Sequence, residues 1–174
     1  GKAVVFEGPE DYHKRLNDKK LKIDENSILI VRGCGPVGYP GAAEVVNMQP
    51  PDRLLKKGIR HLPTLGDGRQ SGTSESPSIL HVSPESAVGG DLGLVKTGDK
   101  MKIDLNKRRV DLLISKAEFA KRRKNRKVFK FINQTPWQEI FRNTVGQLED
   151  GACINSRGQY LDVSHTKGLP RDSH

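Results

Sequence analysis

Ser27-Ile28-Leu29-Ile30-Val31, followed after one residue by Gly33-Cys34-Gly35-Pro36-Val37-Gly38, is the stretch on which the fold turns. The first part is apolar, rich in β-branched residues and shows no alternation. It reads as a strand buried on both faces. The second part matches G-x-G-x-x-G, and a strand running into that pattern invites a dinucleotide-binding reading. The context argues against it. The helix expected next, Gly41 to about Asn47, is short and is stopped by Pro50-Pro51. No second strand ending in an acid follows at the required distance. A glycine-rich turn that feeds a site is the better reading, on a mixed α/β domain. Glu44 falls inside the short helix expected there.

Outward from this stretch, the chain alternates short elements. Ala3-Val4-Val5-Phe6 reads as a strand. Gly8-Pro9-Glu10 opens a helix running to about Asn17, with Pro and acids in its first turn. Pro51 to Gly58 reads as a short helix with Gly at its C-terminal end. Ser83-Pro84-Glu85 reads as a helix start, with Ser83 as the cap. Met101–Leu105 and Arg108–Ile114 alternate apolar and polar residues and predict a β-hairpin. Ser115-Lys116-Ala117-Glu118 is a capping box. Thr135-Pro136-Trp137-Gln138 starts an amphipathic helix reaching about Leu148, with Trp137, Ile140, Phe141, Val145 and Leu148 on one face. Residues 150–174 show little periodicity.

A second glycine-rich segment, Gly66-Asp67-Gly68-Arg69-Gln70-Ser71-Gly72-Thr73-Ser74, holds three glycines, two opposite charges and three hydroxyls. Glycines at this spacing allow close approach of backbone to a ligand. Hydroxyls and a guanidinium suit an oxygen-rich anion. It reads as an exposed functional loop between His61–Leu65 and Pro77–Val82. From the residues alone, a phosphate-cradling loop stays open. A hydrolytic set drawn from His61, His81 and Asp67 is weak, because Ser71 is not in a G-x-S-x-G elbow.

The 174 residues suit one core. No apolar run nears the roughly 18 residues of a membrane span, and the N-terminus does not read as a signal peptide. Residue 1 is not Met, so the start is processed or the chain continues upstream. Cys34 and Cys153 form neither a disulfide framework nor a metal motif, which suggests a reducing, cytoplasmic setting. Net charge is +9, with six cations in Lys121–Lys127. That run reads as a solvated helix end. A non-enzymatic basic module for phosphate or nucleic acid is the alternative, although the run carries no interleaved aromatics.

Gly66–Ser74, with Ser83-Pro84-Glu85-Ser86-Ala87 and Gly89-Gly90, resembles the C-terminal domain of the dihydroxy-acid and sugar-acid dehydratases. The Cys34 turn with Pro40-Gly41 and Glu44 fits the same domain, as does Arg109-Val110-Asp111-Leu112-Leu113-Ile114-Ser115. The wording around Ser71 is similar to the sugar-acid branch. So are Thr135–Ile140, Gly146-Gln147-Leu148, Gly151-Ala152-Cys153 and Pro170-Arg171-Asp172-Ser173-His174. A branched-chain dihydroxy-acid dehydratase is the alternative within the family.

The resemblance implies a swivelling β/β/α domain over residues 1–130, with a β-barrel-like core flanked by short helices. Residues 131–174 would form a C-terminal helical arm over an active site of the same or a neighbouring subunit. It implies a hydro-lyase of the pentonate/hexonate type that turns a sugar acid into a 2-keto-3-deoxy acid. Its cofactors would be an iron–sulfur cluster acting as Lewis acid on the leaving 3-hydroxyl and a Mg²⁺ ion. Ser71 would take the C2 proton, and Glu44 would be the carboxylate lent to Mg²⁺. Thr73 and His174 would contact substrate, and Asp67 with Arg69 would support the loop. No cluster ligand lies in this chain. The N-terminal domain that carries the cluster and most Mg²⁺ ligands is absent, so the isolated chain is expected to be inactive. The implied partners are a sugar acid, the protein's own N-terminal domain and further copies in a homo-oligomer, and neither membrane nor nucleic acid.

Overall fold

The computed structural model describes residues 1–41, 44, 47–70 and 76–154. Four strands, β1 (Lys2–Glu7), β2 (Ser27–Arg32), β3 (Thr64–Gly66) and β4 (Ser78–Ile79), form a parallel sheet in the order β1-β2-β3-β4. In β1–β2, Ala3 pairs with Ile28 and Phe6 with Val31; in β2–β3, Leu29 pairs with Thr64. A separate antiparallel hairpin, β5 (Met101–Asp104) with β6 (Arg109–Leu112), meets β1 through a bridge from Lys2 to Lys100. The fold is therefore mixed α/β, with a parallel sheet and a few short helices.

The absence of polar alternation in β2 has the expected cause: both faces are covered. Val4, Phe6, Leu29 and Val31 face a cluster closed by Tyr12 of α1 (Pro9–Arg15) and Leu54 of α2 (Asp52–Leu55). Ala3, Val5, Ile28 and Ile30 face a second cluster with Leu92, Val95 and Met101. Phe6 meets Tyr12 edge-on at 5.3 Å between ring centres. The Tyr12 hydroxyl donates to the Gln49 carbonyl at 3.0 Å, and burial pushes its pKa up to about 12.

Three expectations need correction. Glu44 is not in a helix: it forms a parallel β-bridge with Arg69. The short apolar window around it mimics helical spacing, but one strand-like contact to a distant loop prevails. Ser83 does not cap a helix. A 3-10 turn, Ser86–Val88, starts two residues later with Glu85 at its cap, and the Glu85 carboxylate is drawn inward to other amides. Finally, the helix predicted to reach Leu148 is α4 (Pro136–Thr144), and Val145 is already extended. Gly146 follows it, and glycine is a poor helix former. Elsewhere the hairpin and the capping boxes stand where predicted: Ser115 and Thr135 accept from the N–H groups of Glu118 and Gln138.

The basic run is only partly solvated. In α3 (Lys116–Lys124), Arg122 is bonded to Asp99 at 2.5 Å and to Glu118 at 2.7 Å. Burial opposes the Asp99 carboxylate, but Arg122 and the Lys96 N–H outweigh it and hold its pKa below the ordinary 3.8. Arg123 reaches Asp91 at 3.0 Å, and Arg126 reaches Asp91 and the Gly89 carbonyl. Three of the six cations therefore fasten α3 to the domain.

Candidate active site

The carboxyl ends of β2 and β3 lie side by side, and both lead into glycine-rich loops. This end of a parallel sheet is where open α/β folds bind ligands. Gly33 has φ +75°, and a Cβ on Gly68 would stand 2.6 Å from the Cys34 carbonyl oxygen. The glycines of the two loops thus serve contact between the loops.

Two buried carboxylates join these loops. Asp67, fully buried, accepts from the N–H groups of Gly33 (3.1 Å), Cys34 (2.9 Å) and Ser86 (2.8 Å), and from the Ser86 hydroxyl at 2.5 Å. Four donors occupy a carboxylate's ordinary acceptor capacity. That leaves little room for a role beside a histidine. Glu85, also fully buried, accepts from the N–H of Val37 at 2.9 Å and of Gly38 at 2.8 Å. Buried charge without such donors would be strongly unfavourable.

Of the residues assigned to the site from sequence, Glu44, Asp67 and Arg69 are described; Ser71, Thr73 and His174 lie outside the described residues. The Glu44–Arg69 bridge brings the main chain of Glu44 beside the loop, two residues before Ser71. The loop's stem is not exposed as expected. Gly66, Asp67, Gly68 and Gln70 are buried, while Arg69 and Glu44 face solvent. Gln70 donates to the Met48 sulfur at 3.3 Å.

Cys34 is fully buried, and burial, followed by the charges of Asp67 and other acids, pushes its thiol pKa far up. A metal-binding cysteine must be a thiolate. Cys34 does not suit a cluster, and Cys153 is exposed. Among the described residues no three His, Cys, Asp or Glu side chains gather to hold a metal. Glu44 offers one hard oxygen donor, which suits Mg²⁺ but is an incomplete ligand set. Also among the described residues, no helix is long and apolar enough to cross a membrane.

Sequence reasoning missed Glu85, Gln147 and Arg142. Gln147 accepts from the Glu85 N–H at 2.9 Å and donates to its carboxylate at 2.8 Å. Arg142 Nε donates to the Val37 carbonyl at 2.9 Å. Burial lowers the Arg142 pKa from its ordinary value. A lone Glu or Arg in a sequence defaults to the surface. The only available signal was the quoted Ser83–Ala87 and Gly146–Leu148 motifs.

Comparison with known proteins identifies the family. The family model described as dihydroxy-acid/6-phosphogluconate dehydratase C-terminal matches residues 1–152. The chain is 54% identical to D-xylonate dehydratase of Caulobacter vibrioides over 173 residues, 99% of this chain and 29% of that protein. It is 51% identical to L-arabinonate dehydratase of Rhizobium leguminosarum bv. trifolii over 70% of this chain and 21% of that protein. With dihydroxy-acid dehydratase of Thermodesulfovibrio yellowstonii it shares 41% identity over 88% of this chain and 28% of that protein. The chain belongs to the dihydroxy-acid/6-phosphogluconate dehydratase C-terminal family. It spans less than a third of the length of these relatives.

Proposed function

We propose that this chain is the C-terminal part of a hydro-lyase that dehydrates a sugar acid to its 2-keto-3-deoxy acid. The observation that carries the reading is the family match over a chain whose two glycine-rich loops meet at the carboxyl ends of β2 and β3. The sugar-acid class is taken from the names of the D-xylonate and L-arabinonate enzymes. In the reaction Ser71 takes the proton from C2, the 3-hydroxyl leaves with a proton as water, and the enol tautomerises. No oxidant or reductant is consumed. Asp67 keeps the loop's stem in place through its bonds to Gly33, Cys34 and Ser86. Thr73 contacts the substrate, and Arg69 supports the loop.

Glu44 is the residue of this chain that would hold Mg²⁺, which when bound would grip the substrate carboxylate and 2-hydroxyl and make the C2 proton more acidic. The cysteines here do not fit an iron–sulfur cluster, so that group and most Mg²⁺ ligands belong to an N-terminal domain of the longer polypeptide. The 174 residues alone are therefore inactive. Residues 1–130 act as the swivelling β/β/α domain, whose barrel-like closure is supported by the hairpin beside β1. Residues 131–174 act as an arm that brings His174 to a substrate, in the same or a neighbouring subunit of a homo-oligomer. The enzyme works in the cytoplasm, without membrane or nucleic acid; Arg122, Arg123 and Arg126 are already engaged inside the domain.

The test is Ser71→Ala in the longer polypeptide, with water loss from D-xylonate and L-arabinonate as the assay. Removing a positioned base should lower kcat by about 10²–10⁴-fold with substrate still bound. Removal of residues 170–174 should lower activity in the same assay. Unchanged kcat in the Ser71 variant would overturn the reading.

A further inference from the structure

The C-terminal segment reaches the site turn through Arg142, whose shorter bond is to the Val37 carbonyl and whose longer one, at 3.5 Å, is to the Gly38 carbonyl. The carbonyl of Val37 and the N–H of Gly38 belong to the same peptide bond. Arg142 Nε donates to that carbonyl at 2.9 Å, and that N–H donates to Glu85 Oε2 at 2.8 Å. A guanidinium and a buried carboxylate are thus joined through one peptide dipole. Hydrogen bonds to charged groups are stronger than neutral ones, and bonds in series polarise one another. The neighbouring N–H of Val37 goes to Glu85 Oε1 at 2.9 Å.

Each end of this arrangement is itself anchored. Gln147 holds Glu85 at two points, its main-chain N–H and its carboxylate. Arg142 Nη1 donates to the Ile132 carbonyl at 2.9 Å and to Asn133, and its guanidinium lies 5.2 Å from the Phe131 ring. Among the described residues Arg142 has no carboxylate partner, so its charge is directed at carbonyls. These contacts span 105 and 62 residues of chain. They are not the by-product of a docked helix, because no residue of α4 is buried.

The turn leads straight to the site. Gly38 precedes Glu44 by six residues, and Glu44 bridges to Arg69. Asp67 pins the turn's first half through Gly33 and Cys34. Its second half depends on Glu85, which Gln147 braces, and on Arg142.

We propose that Glu85, Arg142 and Gln147 form a clamp on the Val37–Gly38 peptide and are positioning residues for Glu44, which bridges to Arg69. The catalytic part of this inference rests on the dehydratase reading; the clamp itself does not.

The test reads hydrogen exchange and kinetics together in the longer polypeptide. Arg142→Ala should speed amide exchange in residues 33–41 about tenfold, the factor expected for one charge-assisted bond, and leave residues 27–32 unchanged. It should lower kcat by a similar factor with KM within about twofold, since the turn orients rather than binds. Arg142→Lys, which keeps the charge and one donor, should recover part of both. Unchanged exchange at 33–41 in Arg142→Ala overturns the clamp. Faster exchange at 33–41 with unchanged kcat overturns the positioning role. If residues 27–32 loosen as well, Gln147→Ala gives the reading from the other arm, and general loosening in both variants also overturns a local clamp. Absence of dehydratase activity in the wild type would sink the functional reading alone, because the exchange result still decides the clamp.

Discussion

In the sheet, Ala3, Val4, Phe6, Leu29 and Ile30 are sealed from solvent, whereas from Phe131 to Ile154 no side chain is buried. The first region is held by apolar area on two faces. The second is held by hydrogen bonds from Arg142 and Gln147 to one turn and its carboxylate. Several of its apolar side chains face solvent: Trp137 is 77% exposed, Ile132 77% and Ile140 51%. The sheet is the apolar scaffold. The C-terminal segment reaches the site turn through polar contacts and leaves these apolar side chains exposed. Where exposed apolar side chains form a contiguous patch, they mark contact surfaces.

The contrast can be broken at the sheet. Leu29→Ala removes a fully buried side chain between β1 and β3, and should cost about 2–5 kcal/mol of stability. Chemical denaturation of the 174-residue chain would measure it, and a near-zero change would show that the sheet is not the scaffold.

A middle case is the α3 dock. Asp99 and Arg122 side chains are both 11% exposed, and the Asp99 pKa is lowered on folding. A lowered acid pKa means the folded state prefers the carboxylate. The contribution is therefore complete above the ordinary value of 3.8 and is lost as pH falls through the lowered one. Acid titration of stability should show this loss, and Asp99→Asn should flatten that part of the profile. An unchanged profile would place the acid sensitivity elsewhere.

The smallest effect is expected at Trp137. Trp137→Ser should change the stability of the isolated chain by no more than about 0.5 kcal/mol, as for other surface sites. In the longer protein the same change should weaken assembly, read by sedimentation. A large loss in the isolated chain would mean that Trp137 packs within it.

How much of this was legible follows from where each contact goes. β2 announced itself because burial on both faces leaves an unbroken apolar run. The α3 and α4 starts were readable because a cap is a local bond between residues three apart. The segment at 66–74 was legible as an irregular, glycine-rich stretch but not as to its burial: Gly66, Asp67, Gly68 and Gln70 are buried, and 71–74 lie outside the described residues. Asp67 was read as support acting with Arg69, but its donors are Gly33, Cys34 and Ser86. Its partners lie up to 34 residues away, and spacing carries no trace of them. Glu85 was hidden for the same reason, and also because a glutamate beside a proline imitates a helix start. Glu44 was misread because a single β-bridge leaves no periodic signal. Ser71, Thr73 and His174 rest on the resemblance, outside the described residues.

Cys34 gives the molecule a built-in timer. Its sulfur is sealed inside the turn that Asp67 and Glu85 hold, facing the Arg32 carbonyl at 3.6 Å, and its raised pKa keeps it a thiol. A thiol reagent meets Cys153 at once and Cys34 only when the turn opens and the proton leaves. The slow phase of alkylation thus counts openings of the turn, with no label added to the protein.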